Sequence, residues 1–399
     1  MNWYIAGMGA AQSEYLLPRV KKIIEKSDLI IGAKRLTDSI NTEGKTVLNL
    51  ISPKEIYEAA VKSESKNIAV LMSGDTGFYS GTKGLLKVLE ENGEKAEVIP
   101  AVSSVQFLAA KLKMPWQDWK LTSVHGIDAN IASIVNRNEK SFFLTGGKWT
   151  VNEICRELIS CGFGENKIYI GEDLGSVTEK IAKGRVKDFT DTKISDLAVC
   201  LIENEAYEKR SFISIRDEDF IRGKIPMTKE EVRSVVISKM NIHRNDIIYD
   251  VGAGTGSVSV EAALAAYEGR VYAIEREKEG IELIKENAKK HKAFNLTAVE
   301  GSAPEKLYDL PAPDVAFIGG SGGNMEEILS LIFKKNPKAR IVITAVSLET
   351  LSEITELFKK FRLTNDEIVQ ISVSKAKLLG RYHLLLGQNP IFILSGDGN

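Results

Sequence analysis

Short apolar runs alternate with amphipathic stretches almost from end to end of this chain. That rhythm is the signature of α/β layers with mainly parallel strands. In the N-terminal half, runs at 4–6, 29–31, 47–50, 68–72, 97–99, 141–144, 167–170 and 197–202 predict strands, and the stretches 79–91 and 150–159 predict amphipathic helices between them. The rhythm breaks over 204–224, where Asn204-Glu205, Lys209-Arg210, Asp217-Glu218-Asp219 and Gly223 predict a charged linker. After Pro226 a helix is expected to open on a capping box formed by Thr228 and Glu231. Seven further strands follow at 247–250, 271–275, 296–299, 315–318, 341–344, 368–373 and 391–394. The reading is therefore two α/β domains, 1–203 and 225–399, joined by 204–224.

With 399 residues the chain exceeds one typical core, which agrees with two domains. A formal net charge of −1 with 27% charged residues argues against nucleic acid as the main partner, because phosphate binding leaves a basic excess. The longest apolar runs, 197–202 and 384–386, fall far short of a bilayer's thickness, so no membrane span is expected. The opening Met1-Asn2-Trp3-Tyr4-Ile5-Ala6-Gly7 lacks a basic leader and reads as a buried strand, which predicts a cytoplasmic protein. Cys155, Cys161 and Cys200 are odd in number and lack CxxC spacing. They predict buried free thiols, with neither a disulfide framework nor a metal site.

The chemistry concentrates at Asp250-Val251-Gly252-Ala253-Gly254-Thr255-Gly256, which reads as a strand, a glycine turn and a helix start. Glycines there let the backbone approach a ligand closely, and the helix offers free N–H groups to an anionic end. The spacing is tighter than a dinucleotide fold wants. Asp250 before the turn and Glu275 at the end of the next strand, where an acid accepts ribose hydroxyls, favour an S-adenosylmethionine (AdoMet) site over an ordinary αβ turn. Together with the seven strands, this resembles a class I (Rossmann-like) methyltransferase. Gly301-Ser302-Ala303-Pro304 follows the third strand, and Phe317-Ile318-Gly319-Gly320-Ser321-Gly322-Gly323 runs on from the fourth. Such small residues leave an open crevice at the carboxyl edge of a sheet.

The N-terminal half carries its own small-residue loops after strands, at Ser73-Gly74-Asp75-Thr76-Gly77 and at Pro100-Ala101-Val102-Ser103-Ser104. Ser103 or Ser104 can cap the helix behind the second loop. Asp75 either positions a ligand or braces its own turn.

The C-terminal motifs, from Pro226-Met227-Thr228-Lys229-Glu230-Glu231-Val232-Arg233 through the glycine turn, Ala273-Ile274-Glu275-Arg276 and the stretch 389–396, resemble the CbiT family of decarboxylating precorrin methyltransferases of cobalamin synthesis. By that resemblance Thr228, Gly252, Ala253, Gly254, Thr255, Gly256, Glu275 and Ala303 contact AdoMet. In the N-terminal half Gly7-Met8-Gly9, the loops at 73–80 and 100–107, Pro115-Trp116, Ser123-Val124-His125-Gly126 and Leu144-Thr145 resemble the CbiE family, which has the tetrapyrrole methylase fold. Gly7, Gly9, Gly74, Asp75, Ser103 and Ser104 are the AdoMet candidates there. The fusion of the two is the CobL-type arrangement. It implies methylation of a (cobalt-)precorrin-6B tetrapyrrole at carbon 15 with loss of the ring C acetate carboxyl by the C-terminal domain, and at carbon 5 by the N-terminal one.

The N-terminal loops depart from the family pattern. Ala10 and Ala11 replace a Pro-Gly pair, Thr76 stands where proline is usual, and Ile127 stands where an arginine is expected after His125-Gly126. A chain in which only the C-terminal domain is active, the other serving as a binding or scaffold module, is therefore the alternative. His125, Asp75, Arg233 and Lys375 are the candidate catalytic residues, and Arg233, Lys229, Arg222, Lys375 and Arg381 are candidate partners for substrate carboxylates. Related domains commonly associate, so a homo-oligomer is expected.

Overall fold

The continuous apolar runs become strands buried on both faces, as parallel sheets covered by helices require. The computed structural model describes residues 1–10, 15–126, 129–208 and 214–399. The departures at Ala11 and Ile127 and the Lys209-Arg210 pair lie outside them. The chain divides into two compact units, one formed by 1–128 and 138–206, the other by 129–137 and 207–399.

The first unit holds two sheets. β1 (Asn2–Gly7), β2 (Leu29–Gly32), β3 (Thr46–Leu48), β4 (Asn67–Met72) and β5 (Ala96–Ile99) form an all-parallel sheet in the order β3-β2-β4-β1-β5. β6 (Lys120–Ser123), β7 (Lys140–Leu144), β8 (Lys167–Glu172), β9 (Lys180–Arg185) and β10 (Ala198–Glu203) form a second sheet, β6-β7-β10-β8-β9, in which only β6 and β7 run parallel. β6 and β9 were not expected from the apolar pattern. β9 is an edge strand reading Lys-Ile-Ala-Lys-Gly-Arg with no buried residue, and its lysines and arginine blunt that edge. The helix expected from residue 79 begins at Thr82, because Tyr79 sits at a left-handed φ of 48°.

The second unit is built on β11 (Ile247–Val251), β12 (Arg270–Glu275), β13 (Leu296–Glu300), β14 (Val315–Ile318), β15 (Arg340–Ala345), β16 (Thr364–Ile371), β17 (Ser374–Leu379), β18 (Tyr382–Gly387) and β19 (Ile391–Asp397). Seven of these make one sheet, β13-β12-β11-β14-β15-β19-β16, parallel up to β15 and antiparallel through β19 and β16. This is the sheet expected of a class I methyltransferase. β17 and β18 form a separate, exposed hairpin; alternation there was hidden by apolar residues on both of its faces.

Two local expectations are corrected. The segment 215–221 is not a free linker. Ile215 and Phe220 are buried in the core of the second unit, and Ile221 exchanges backbone and side-chain hydrogen bonds with Asn287 (2.8 and 3.0 Å). The surrounding charges masked these few apolar anchors. Nor does the Thr228–Glu231 capping box form. The helix runs Glu230–Met240 with Lys229 as its unbonded N-cap. Glu231 instead pairs with Lys375 at 2.7 Å, and the Thr228 carbonyl accepts from Arg233 at 2.8 Å. Cys155 and Cys200 are buried free thiols as expected, whereas Cys161 is only half-buried. Among the described residues no helix is long and apolar enough to cross a membrane, and no cluster of His, Cys, Asp or Glu is arranged to hold a metal.

Candidate functional site

In the second unit, four adjacent strands, β13, β12, β11 and β14, deliver their carboxyl ends to one edge. The turn after β11 places Gly252, Gly254 and Gly256 at φ values of 74°, 57° and 75°. At Gly252 the conformation is also a matter of space: a Cβ would lie 2.8–3.0 Å from the backbone of Gly320 after β14. The two glycine loops therefore touch through bare backbone, which only glycine permits. Gly256 immediately precedes the helix Ser257–Ala265. Pro226, whose carbonyl would stand 2.9 Å from a Cβ on Gly254, brings the 225–228 segment against the turn.

Glu275 is buried at the end of β12. Its carboxylate accepts from the Gly254 and Glu277 backbone N–H groups at 2.8 and 2.9 Å, which fixes it against the glycine turn. Gly301 donates to the Glu275 carbonyl at 2.9 Å and so brings the Gly301-Ser302-Ala303 tip alongside. Ala303 is buried and its carbonyl faces Asn324 Nδ2 at 3.4 Å.

Asp250 is fully buried one residue before the strand ends. Burial pushes its carboxyl up to about 7, against hydrogen bonds from Ser259 and with help from the nearby charge of Glu275. One of its oxygens accepts from the Ser259 hydroxyl. The other, Oδ1, has no partner among the described residues, and neither does the buried Thr255 Oγ1 in the turn itself. Buried polar atoms of this kind cost free energy unless something completes them.

The candidate cations of this unit divide. Arg233 is not available to a substrate. It is fully buried, with Nε on Glu261 at 2.7 Å, Nη1 on Asp217 at 3.1 Å and on the Thr228 carbonyl, Nη2 on the Ile215 carbonyl, and its guanidinium 4.7 Å over the Phe220 ring. Burial raises the Glu261 carboxyl, and Arg233 partly restores it. Arg233 thus binds the 215–220 segment to the core, a role invisible at its place in a motif. Lys375 is tied to Glu231; burial would raise that carboxyl, but the ammonium, a backbone N–H and the charge of Arg233 together hold it below its ordinary value. Arg222 donates to the Asp217 carbonyl at 2.9 Å. Lys229 and Arg381 are exposed.

In the first unit, the strand ends of both sheets surround a cavity of about 680 Å³. Gly9, Gly74, Asp75, Ser103, Ser104 and His125, all sequence candidates, line it. Gly7 does not. It is buried, with Ala101 Cβ and the Gly74 carbonyl 2.8 and 2.9 Å from where a Cβ would be, so its smallness brings the loops together without exposing it to the cavity. Of the two readings of Asp75, the bracing one is met. Its oxygens accept from the Gly77 N–H at 2.8 Å, bracing the turn, and from the Ala101 N–H at 2.9 Å, joining the loops after β4 and β5 at the cavity wall. Thr76 is buried and donates to the Ile99 carbonyl at 3.3 Å, so a hydroxyl ties down the loop that lacks its usual proline. Ser103 caps the helix Ser104–Leu112 in a full capping box with Gln106. The His125 ring packs where a side chain on Gly146 would otherwise sit.

Sequence reasoning missed the aromatic wall residues Phe78 and Tyr79, the acids Asp173 and Asp196, and Arg35. Arg35 alone carried a usable signal, a cation three residues after the end of an apolar strand.

Comparison with known proteins follows this division. The family described as "Precorrin methyltransferase domain" matches residues 219–396, and that described as "Tetrapyrrole (Corrin/Porphyrin) Methylases" matches residues 3–190. A probable cobalt-precorrin-6B C(15)-methyltransferase (decarboxylating) of Pyrobaculum calidifontis is 42% identical over 184 residues, 45% of this chain and 94% of that relative. A precorrin-6Y C(5,15)-methyltransferase [decarboxylating] of Sinorhizobium is 29% identical over 387 residues, 94% of this chain and 91% of that protein. The crystal structure of a precorrin-6y C5,15-methyltransferase from Geobacter metallireducens shares 37% identity and covers 47% of this chain and all of that one, with a TM-score of 0.44.

Proposed function

Because the chain belongs to the CobL-type precorrin methyltransferases, in which a CbiE-type tetrapyrrole methylase is fused to a CbiT-type domain, we propose that it transfers two methyl groups from AdoMet to one tetrapyrrole. The second unit methylates carbon 15 of (cobalt-)precorrin-6B and releases the ring C acetate carboxyl as carbon dioxide. The first methylates carbon 5 of the product. The observation that carries this reading is a similarity that runs through both halves to one bifunctional relative.

The residues present fit AdoMet. In the second unit the backbone of Gly252 to Gly256 with Thr228 would hold the methionine part, Glu275 the ribose and Ala303 the adenine edge. Two buried polar atoms with no partner among the described residues, Asp250 Oδ1 and Thr255 Oγ1, stand at that turn. In the first unit Gly9, Gly74, Asp75, Ser103 and Ser104 would do the same from the cavity wall. When bound, AdoMet supplies an electrophilic methyl group on a sulfonium. The chain therefore has to align an electron-rich ring carbon behind that methyl and exclude water, which positioning alone accomplishes. Loss of carbon dioxide leaves an electron pair that the conjugated macrocycle itself accepts. Methyl attack and decarboxylation thus balance without a side-chain nucleophile.

The test is to incubate the full chain with isotopically labelled AdoMet and a precorrin-6B-type substrate and weigh the product. Two added methyls with loss of carbon dioxide is the expected result. One methyl with that loss assigns the first unit to binding alone, and no methyl overturns the proposal.

A further inference from the structure

The cavity of the first unit has to receive a substrate whose periphery is lined with carboxylates, if the proposed function holds, yet its wall is acidic. Asp75, Asp173 and Asp196 all line it. Asp75 is occupied by two backbone N–H groups, and Asp173 by the Thr178 and Ser195 hydroxyls at 3.2 and 2.9 Å. Among the described lining residues, the one Lys or Arg is Arg35.

Arg35 differs from the other arginines described in this unit. Arg19 sits 2.7 Å from Glu97, Arg156 is paired with Glu153 and Asp191, and Arg185 lies against Glu165. Arg35 has no carboxylate within ion-pair distance among the described residues; its hydrogen bond goes from Nη2 to the hydroxyl of Ser73, at the end of β4. A guanidinium carries five N–H donors in a planar fork, so most of its capacity stays free beside the cavity.

Its backbone is held firmly. Arg35 lies in the one-turn helix Lys34–Thr37 directly after β2, with Leu36 and Thr37 buried beneath it. Thr37 ties that turn to Asn49 at 2.8 Å, and neighbouring Lys34 is neutralised by Asp38 at 2.8 Å. A fixed, exposed and unpaired fork at the wall of a ligand-sized cavity is the arrangement that recognises a carboxylate bidentately.

We infer that Arg35 is the specificity-determining residue of the first unit: it grips a peripheral carboxylate of the tetrapyrrole, with Ser73 as the positioning residue that aims the guanidinium. The assignment rests on the proposed function for the substrate class, and it places the carboxylate grip on the one-turn helix after β2.

The test uses the full chain and compares wild type with Arg35→Ala and Arg35→Lys. Arg35→Ala should raise KM for the tetrapyrrole in the carbon 5 methylation by about 10- to 100-fold, the worth of a charge-assisted hydrogen-bonded pair, with little change in kcat. Arg35→Lys should recover part of that loss, because charge returns without the fork. Carbon 15 methylation by the second unit is the internal control and should not change.

A second measurement needs no turnover: calorimetric titration with S-adenosylhomocysteine and with uroporphyrin, a tetrapyrrole carrying carboxylates on its peripheral chains. Weaker uroporphyrin binding in Arg35→Ala with unchanged S-adenosylhomocysteine binding supports the assignment. It does so even if wild type adds no methyl at carbon 5, in which case only the proposed activity of this unit has failed. Unchanged uroporphyrin binding, or an equal loss for both ligands, overturns it.

Discussion

The two candidate sites are built by opposite means. The second unit presents backbone: glycines at left-handed φ, touching loops and N–H groups at a helix start. The first presents side chains drawn from the strand ends of two sheets around a cavity of about 680 Å³. A backbone site is specified by which residue types can adopt the turn, and therefore tolerates little change at few positions. A side-chain cavity distributes its demands, and the loop where Thr76 stands in place of the usual proline is held by its hydroxyl on the Ile99 carbonyl. The departure at Thr76 thus leaves its loop anchored.

The largest expected effect would break the comparison from below, by removing the support under the backbone site. Arg233→Ala leaves the buried Glu261 without its counter-ion and takes the 3.1 Å partner from Asp217. Losing one partner of a buried pair costs about 3–5 kcal/mol. Urea unfolding of the full chain should show the transition of the second unit moving to lower denaturant while that of the first stays in place.

Next comes the acid beneath the glycine turn. In the folded chain Asp250 holds its proton up to about pH 7, whereas in the unfolded chain it releases it near its ordinary value of 3.8. The unfolded state therefore binds fewer protons between those limits. This group's contribution to stability is fully present below about pH 4 and is lost as pH rises toward 7, at up to about 1.4 kcal/mol per pH unit. Asp250→Asn should flatten that slope in denaturant titrations at pH 4, 5.5 and 7; an unaltered slope would show that Asp250 is already ionised in the folded protein.

Gly252→Ala sharpens the contrast directly. The added Cβ meets the Gly320 backbone at 2.8–3.0 Å in a strained left-handed turn, so the two loops must separate. A displacement of that size costs about 100-fold in rate. Carbon 15 methylation should fall accordingly while carbon 5 methylation, offered the product already methylated at carbon 15, persists. The smallest effect is expected from Asp75→Asn in the first unit. The amide keeps one acceptor oxygen but loses the other's hydrogen bond to Gly77 or Ala101. A loss of about 1–3 kcal/mol of local stability follows, to be read as faster amide exchange in the loops after β4 and β5, with the second unit's activity intact.

Much of this was legible from composition and order. The seven strands of the second unit's main sheet, the glycine turn and the acid at Glu275 follow from local rules, because a strand's apolar run and a positive-φ glycine are properties of short segments. What failed did so for non-local reasons. Thr228 and Glu231 have capping-box spacing, yet Glu231 pairs with Lys375 from far along the chain. Residues 215–221 read as a polar linker because the few buried side chains that anchor them are outnumbered by charges. Arg233 itself looked like a substrate cation, and only packing shows its donors spent on Glu261, Asp217 and two carbonyls.

By itself, then, the order of residues determined the layered architecture, the family and the turn that bare backbone must form, since each rests on periodicity or on what a single residue type can adopt. Tertiary structure alone decided which cations remain free, because pairing depends on distances between segments far apart in the chain. Arg233 stands in a motif and Arg35 in none, yet folding buries the first among carboxylates and leaves the second beside the cavity with no ion-pair partner among the described residues.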